Sequence, residues 1–280
     1  CKATNIPFDV YGFTSTNPDI DYAWQKKNPA VVDLDDLSMP HICSSTFSKS
    51  DFMDSMEHMY TRTRQNGWGD LCRYEEYGST PLNQALMVST HLVKKFKAKH
   101  GIEKMNFITF TDGDANRIST YSDWCNNGNM FRPDRTSAVI NVDGTMVKSR
   151  VGSRSMTSAL LKNMKKKYGI NTIGFFMADT NSDWRQRLWI MADELYKYIE
   201  DYKSQANKEY RTNKCVHEQN VLGYNEYYLV KGGKNLETQE DEFAVAEDAS
   251  NASIRTAFKK FTKSKKQNKV LLTKFGKAVA

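Results

Sequence analysis

The sequence predicts an α/β fold in which a mostly parallel central sheet has helices on both faces. The apolar stretches Met105–Phe110 and Ile170–Met177 have the length of buried strands, and each follows a segment with helical spacing. The first stretch ends abruptly in the polar turn TDGDAN. Helix, buried strand and polar turn, in that order, form the unit of a parallel sheet. With 280 residues, 39% of them hydrophobic, the chain can bury a sizeable core.

The N-terminal part predicts two strands and a helix. Phe8–Thr14 alternates residues that favour strands, and Met39–Ser44 is a weaker strand candidate. Helical spacing begins at Ser50 in SDFMDSMEHMYTRTR, and we expect the methionines of this helix to be core residues. The loop that follows, QNGWGDLCRYEEYGS, has a length typical of functional loops.

Two helices and a hairpin are predicted in the middle of the chain. Pro81–Lys99 is a long helix that Gly101 stops. Its apolar stripe consists of Leu82, Ala85, Leu86, Leu92, Val93 and Phe96. In the polar stretch that follows the first strand, AVINV and TMVKS flank an Asp-Gly pair, which predicts a hairpin. Ser153–Tyr168 is the next helix, and a glycine closes it.

The C-terminal part predicts a helix, a last strand and an extension. SDWRQRLWIMADELYKYIEDY opens with a Ser/Asp cap at Ser182 and continues as an amphipathic helix, with a lysine-rich continuation to about Thr212. Tyr224–Val230 reads as a last strand at a sheet edge, because glycines end it. We therefore expect a Rossmann-like domain over 1–231. Residues 232–280 form an acidic connector and a basic amphipathic tail.

The amino-acid composition limits the cellular location and the partners that we expect. The net charge is +7, yet 33 acidic residues are mixed with the 40 basic ones, so a solvated basic face explains the excess. The five cysteines form an odd set without a CxxC pair, which favours a reducing, cytoplasmic setting over a disulfide framework or a structural zinc site. No run of about 18 apolar residues exists, so we expect no membrane partner.

Two loops carry the candidate site. Thr80 precedes the long helix in YGSTPLNQAL, and Asp112 follows a predicted strand in TDGD. Ligands gather at the carboxyl ends of parallel strands, and a hydroxyl with a carboxylate suits Mg²⁺. Thr80 and Asp112 are therefore the predicted metal ligands, whereas Asp114 either supports the loop or is solvated. The histidines share no metal-like spacing; they are His41, His58, His91, His100 and His217. Cys125 has no nearby histidine and is not a predicted nucleophile.

Other interpretations of the same residues stay open. Thr80 could be only an N-cap, and TDGD only a turn. The two-residue spacing of Asp112 and Asp114 also suits a phosphoryl-transfer hydrolase, to which the helix at Lys162–Lys167 would offer a lysine. Finally, the tail interleaves lysines with Phe258 and Phe261, a pattern that would serve nucleic-acid binding. Its lysines are Lys259, Lys260, Lys263, Lys265, Lys266 and Lys269.

GSTPLNQAL followed by FITFTDG resembles the second and third loops of the metal-ion-dependent adhesion site (MIDAS) of von Willebrand factor A (vWA) domains. The resemblance extends in element order from about Cys1 to Lys231. That family's first metal loop, Asp-x-Ser-x-Ser, does not occur here behind a strand, and Cys1–Ile6 reads as the end of the helix that follows it. We therefore expect the first strand and first metal loop to precede this sequence.

Within that family, FDVYGFTST, the Met- and aromatic-rich insertions and the basic tail resemble the A-domain subunit of cobalt chelatase and its tailed-phage relatives. The resemblance implies a Mg²⁺-binding interaction subunit without catalytic activity of its own. Its expected partner is an AAA+ ATPase of the MoxR type that supplies an acidic ligand, and a larger chelatase subunit is a further candidate. The expected location is the cytoplasm, that of the host if a phage encodes the chain.

Overall fold

The computed structural model describes residues 5–15, 32, 34, 37–64, 79–116, 118, 138–149, 153–232 and 276. These residues fall into two compact units. Those up to Glu103 and those from Gly113 to Tyr168 form the first unit, and Lys104–Asp112 with those from Gly169 onward form the second. The predictions for the loop 65–78, for Cys125 and for the tail lysines lie outside the described residues.

The described residues contain five helices and ten strands. The helices are α1 (Lys49–Arg64), α2 (Leu82–His100), α3 (Ser153–Tyr168), α4 (Asn181–Glu194) and α5 (Ile199–Asn213). The strands are β1 (Asp9–Tyr11), β2 (Thr14–Ser15), β3 (Leu37–Ser38), β4 (His41–Ser44), β5 (Asn106–Thr111), β6 (Ala138–Val142), β7 (Thr145–Ser149), β8 (Asn171–Ala178), β9 (Cys215–Gln219) and β10 (Glu226–Lys231). The fold is thus mixed α/β, as the sequence predicts.

In the first unit, the N-terminal strands form two small antiparallel pairs, β1 with β4 and β2 with β3. The predicted strand Phe8–Thr14 is therefore two short strands. Helix α1 begins and ends as predicted, but the expectation that its methionines are core residues is wrong. No described residue of α1 is buried, and Met53 is 57% exposed. Helical spacing defines a face, but it does not define how much structure covers that face.

Helices α2 and α3 pack against each other and supply the buried core of the first unit. Four members of the predicted α2 stripe are buried: Leu82, Ala85, Leu86 and Val93. Gly101 ends α2 in the left-handed conformation at φ 61°, as predicted. Lys97 Nζ donates to the backbone oxygen of Tyr168 at 2.7 Å and so joins the ends of both helices.

The predicted hairpin is present as β6 and β7, and its turn residues Asp143 and Gly144 both have positive φ. The Asp143 carboxylate accepts hydrogen bonds from Lys167 Nζ and from the Tyr168 hydroxyl, each at 2.7 Å. These hydrogen bonds lower the pKa of Asp143 to about 2. The turn is therefore held to the C-terminal end of α3.

The second unit contains a four-stranded sheet with the order β5-β8-β10-β9. β5, β8 and β10 are parallel, and β9 is antiparallel to β10. The prediction that the last strand lies at an edge is wrong, because β10 pairs on both sides and all four residues from Tyr227 to Val230 are buried. The strand beside β10 at the end of the described order is β9. The sequence analysis does not predict β9, because CVHEQ is short and half polar.

Four aromatic rings stack across this sheet, one from each strand. The rings of Phe110, Phe175, Tyr228 and His217 follow one another at centroid distances of 4.8, 4.9 and 4.5 Å. Phe175 and Tyr228 are buried, whereas Phe110, on the strand that begins the order, is 57% exposed. The stack fixes the register of the four strands on one face of the sheet.

The predicted helix after β8 is two helices. Leu195–Tyr198 separates α4 from α5, and Tyr196 has a positive φ of 53°. The cap is Thr180, two residues before the predicted Ser182, because the residue that completes a capping box with it is Asp183. Among the described residues, no helix is long and apolar enough to cross a membrane.

Candidate metal-binding residues

Thr80 lies two residues before the first residue of α2 in the first unit, and its side chain is half-buried. The interpretation of Thr80 as the helix cap is wrong: Pro81 occupies the cap position, with no side-chain cap hydrogen bond. The Thr80 backbone oxygen accepts from the amides of Leu82 and Asn116, each at 2.8 Å. In the part of the chain that the structure describes, the capping of α2 thus leaves the Thr80 hydroxyl unused.

Gly113 packs directly against that hydroxyl. A Cβ atom built at position 113 would lie 2.5 Å from Thr80 Oγ1, closer than real side chains approach. The residue before Gly113 in the chain is Asp112, the other predicted ligand. The boundary between the units falls between Asp112 and Gly113. Thr80 therefore belongs to the first unit and Asp112 to the second.

Two asparagines hold the Thr80 loop to the loop that contains Gly113. Asn116 donates from its backbone to Thr80 O and from its side chain to Ser79 Oγ. Asn83, which is fully buried, donates to Asn116 O at 3.3 Å and accepts from the Thr157 hydroxyl at 2.7 Å. A buried amide that both donates and accepts costs little to bury, because its polar atoms are paired.

Asp114 has a separate partner. Its Oδ2 atom lies 3.7 Å from Arg154 Nε, and both side chains are partly exposed, at 34% and 44%. Water screens such a pair, so the contact orients the loop more than it stabilises the fold. Lys167, one of the lysines that the phosphoryl-transfer interpretation would use, is bonded to Asp143.

In the second unit, two aspartates follow neighbouring parallel strands. Asp112 follows β5 and is exposed, and Asp179 follows β8. Partial burial and the nearby charges of Asp112 and Asp183 raise the pKa of Asp179. Gly232, which follows β10, packs under the Asp179 carboxylate so closely that a Cβ atom there would clash with it. The carboxyl ends of the neighbouring strands β5 and β8 are thus each followed by an aspartate.

Asp179 is the residue that the sequence reading missed. The rule that selected Asp112, a carboxylate directly after a buried parallel strand, applies equally to Asp179 after INTIGFFMA. Asp183, in contrast, is committed to the helix cap. Hydrogen bonds from the hydroxyl and amide of Thr180 lower its pKa.

No three His, Cys, Asp or Glu side chains among the described residues group closely enough to hold a metal ion. The five histidines do not form a cluster there either. His217 instead pairs with Glu226 across β9 and β10, and His41 lies 3.4 Å from Asp9. A site built on a threonine hydroxyl would not contain three such residues, so the Mg²⁺ prediction stays a prediction.

No family model, curated protein or solved structure matches this chain.

Proposed function

We propose that this chain is a Mg²⁺-dependent protein-interaction subunit in which Thr80 and Asp112 bind the metal. One observation carries the proposal. The half-buried Thr80 hydroxyl is not used to cap α2, and it packs against Gly113, the residue that follows Asp112 in the chain. Threonine is a favoured cap, so a hydroxyl that does not cap the helix and has no partner among the described residues supports a ligand role.

The chemistry of these residues suits Mg²⁺. Hydroxyl and carboxylate oxygens are hard ligands, and Mg²⁺ keeps several of its waters, so few protein ligands are required. The mutual repulsion between Asp179 and Asp112, which helps to raise the pKa of Asp179, is the effect that a bound cation would relieve. An open coordination position would then accept a carboxylate from a partner protein.

Among the described residues, β5 pairs with a strand on one side only. β8 occupies one side of β5, so a further parallel strand with a metal loop would have to pair with the other side of β5. Phe110 is exposed there. The Rossmann-like layout of a vWA domain, with helices on both faces and a first strand next to β5, belongs to this proposal, as do the domain limits 1–231 and 232–280.

The partner follows from the resemblance to the cobalt chelatase A-domain subunit. An AAA+ ATPase of the MoxR or chelatase type would supply the acidic ligand and hydrolyse ATP, with a larger chelatase subunit as a further component. The chain itself would act in the cytoplasm without catalysing a reaction, and it would bind neither a membrane nor nucleic acid.

Substitution of Thr80 in the full-length chain tests the proposal. Thr80→Ala should abolish the rise in melting temperature that Mg²⁺ gives, whereas Thr80→Ser should retain most of it, because ligand binding stabilises the fold by RT ln(1 + [L]/Kd). In EDTA, the melting temperatures of all three proteins should be nearly equal. A pull-down of the candidate ATPase with Mg²⁺ and with EDTA measures the interaction directly.

A Thr80→Ala protein that still binds the partner in a Mg²⁺-dependent way would contradict the proposal. A metal-dependent phosphatase activity that disappears in Asp112→Asn would instead favour the phosphoryl-transfer alternative. Binding of single-stranded nucleic acid that weakens on removal of the lysine-rich tail would favour the nucleic-acid alternative.

A further inference from the structure

The space beside the Thr80 side chain admits only glycine at position 113. The nearest atom to a Cβ built there is Thr80 Oγ1 at 2.5 Å, and the next are Thr80 Cβ at 3.4 Å and Cγ2 at 3.8 Å. The clash of any larger residue would therefore be with the hydroxyl oxygen itself. Gly113 does not have a positive φ, so the backbone conformation is not what requires glycine. The requirement is the space that the hydroxyl occupies.

The surrounding hydrogen bonds prevent the two loops from moving apart to relieve such a clash. The Asn116 amide donates to Thr80 O at 2.8 Å, and the Asn116 side chain donates to Ser79. Asn83, 0% exposed, donates to Asn116 O and is itself held by Thr157 on α3. Separating the loops would break these bonds, one of which is made by the fully buried Asn83 amide, and breaking a buried hydrogen bond is costly.

We propose that Gly113 is a positioning residue for the Thr80 hydroxyl, and that Asn83 and Asn116 hold the loops at the separation at which only glycine fits at position 113. This inference rests on the proposed function, because it assigns Gly113 to the same metal site. A methyl group at position 113 would rotate or displace the hydroxyl and so remove it from the metal, while all the predicted ligands stay present in the sequence.

The test is a double-substitution cycle in the full-length chain, with Mn²⁺ as the probe. Mn²⁺ prefers the same oxygen ligands as Mg²⁺, and the free ion is measured by electron paramagnetic resonance. Gly113→Ala should weaken Mn²⁺ binding by roughly 10–100-fold, the loss typical of residues that orient a metal ligand. In a Thr80→Ala background, Gly113→Ala should weaken it no further, because the atom that it displaces is gone.

Gly144→Ala is the matched control. A Cβ atom at Gly144 meets nothing within 4 Å, but its φ of 76° strains alanine, so this variant loses stability without contacting Thr80. Its Mn²⁺ affinity should equal that of the wild type. If it also weakens binding, general destabilisation explains the effect of Gly113→Ala and the inference is wrong.

The remaining outcomes separate the inference from the proposed function. If Thr80→Ala weakens Mn²⁺ binding but Gly113→Ala leaves it within about twofold of wild type, only the inference fails, since ligand-orienting residues cost more. The inference also fails if Gly113→Ala weakens binding by the same factor with and without Thr80. If wild type and Thr80→Ala bind Mn²⁺ equally, or neither binds it, the proposed function fails and the role of Gly113 fails with it.

Discussion

Thr80 and Thr180 lie near the start of a helix, two residues and one residue before it, and they use their hydroxyls differently. Thr180 caps α4: its hydroxyl accepts from the Asp183 amide at 3.1 Å, and the Asp183 carboxylate accepts from the Thr180 amide at 2.9 Å. Thr80 precedes α2 and does not cap it, because Pro81 takes the cap position. The same residue type therefore caps a helix in the second unit and does not cap one in the first.

The residues three positions after the two threonines also differ. Asp183 can return a hydrogen bond to the amide of Thr180, which completes a capping box. Its counterpart is Asn83, whose amide group is turned to Asn116 and Thr157 instead. Where the third residue reaches away from the helix start, the threonine hydroxyl is left for another role.

We expect the largest effect from exchanging the side chains at positions 83 and 183, asparagine for aspartate and the reverse. Asn83→Asp should lower the free energy of unfolding by about 1–3 kcal/mol or more, because a carboxylate cannot donate to Asn116 O and its charge would lose hydration at this fully buried position. Urea denaturation at neutral pH measures the change. The reverse exchange, Asp183→Asn on an exposed helix start, should cost clearly less. Equal losses in the two variants would mean that the Asn83 bonds do not hold the loops.

The sequence predicted most individual elements, because their signals are local. α2 and α3 have apolar stripes and glycine stops, and the turn of the hairpin is marked by Asp143-Gly144. The predictions that are wrong concern what surrounds an element, which the local sequence of that element does not show. The methionines of α1 have helical spacing but little structure over them, and β10 is interior only because β9, a short polar strand, pairs with it.

The candidate site was predictable to the same extent. Asp112 was selected because it directly follows a strand, and Thr80 because it precedes a helix. The criterion used for Asp112 would also have selected Asp179. The fate of the Thr80 hydroxyl was not predictable, because it depends on hydrogen bonds between residues up to 74 positions apart, from Asn83 to Thr157. Local sequence does not encode which of two loops an asparagine will join.

Alanine substitutions at Thr80 and Thr180 should differ in their effect on stability. Thr180→Ala should lower the free energy of unfolding by about 0.5–2 kcal/mol, the usual loss for a threonine cap, in the presence or absence of metal. Thr80→Ala, the matched variant, should cost clearly less in EDTA, because no cap is lost there. Thermal melts of both variants in EDTA make the comparison. A cap-sized loss in Thr80→Ala would show that its hydroxyl already stabilises the helix start.

The smallest effect is a difference in pH dependence, and it isolates the cap of α4. Hydrogen bonds from Thr180 lower the pKa of Asp183 in the folded state below its unfolded value of about 3.9. An acid whose folded pKa is lowered contributes stability that is present above its unfolded pKa and is lost as the pH falls through its folded pKa. Wild type should therefore exceed Asp183→Asn in stability at pH 6, and the gap should narrow progressively below about pH 4. Subtracting the two denaturation series cancels carboxyls that Asp183 does not perturb, such as Asp143, whose pKa is about 2. Asp179 does not cancel, because the Asp183 charge helps to raise its pKa, and its contribution opposes the narrowing. No such narrowing is expected between wild type and Thr80→Ala, because Asn83, three residues after Thr80, carries no titratable group. A gap between wild type and Asp183→Asn that stays constant from pH 6 to pH 2 would mean that the Asp183 charge does not strengthen the cap, and the contrast between the two helix starts would then rest on geometry alone.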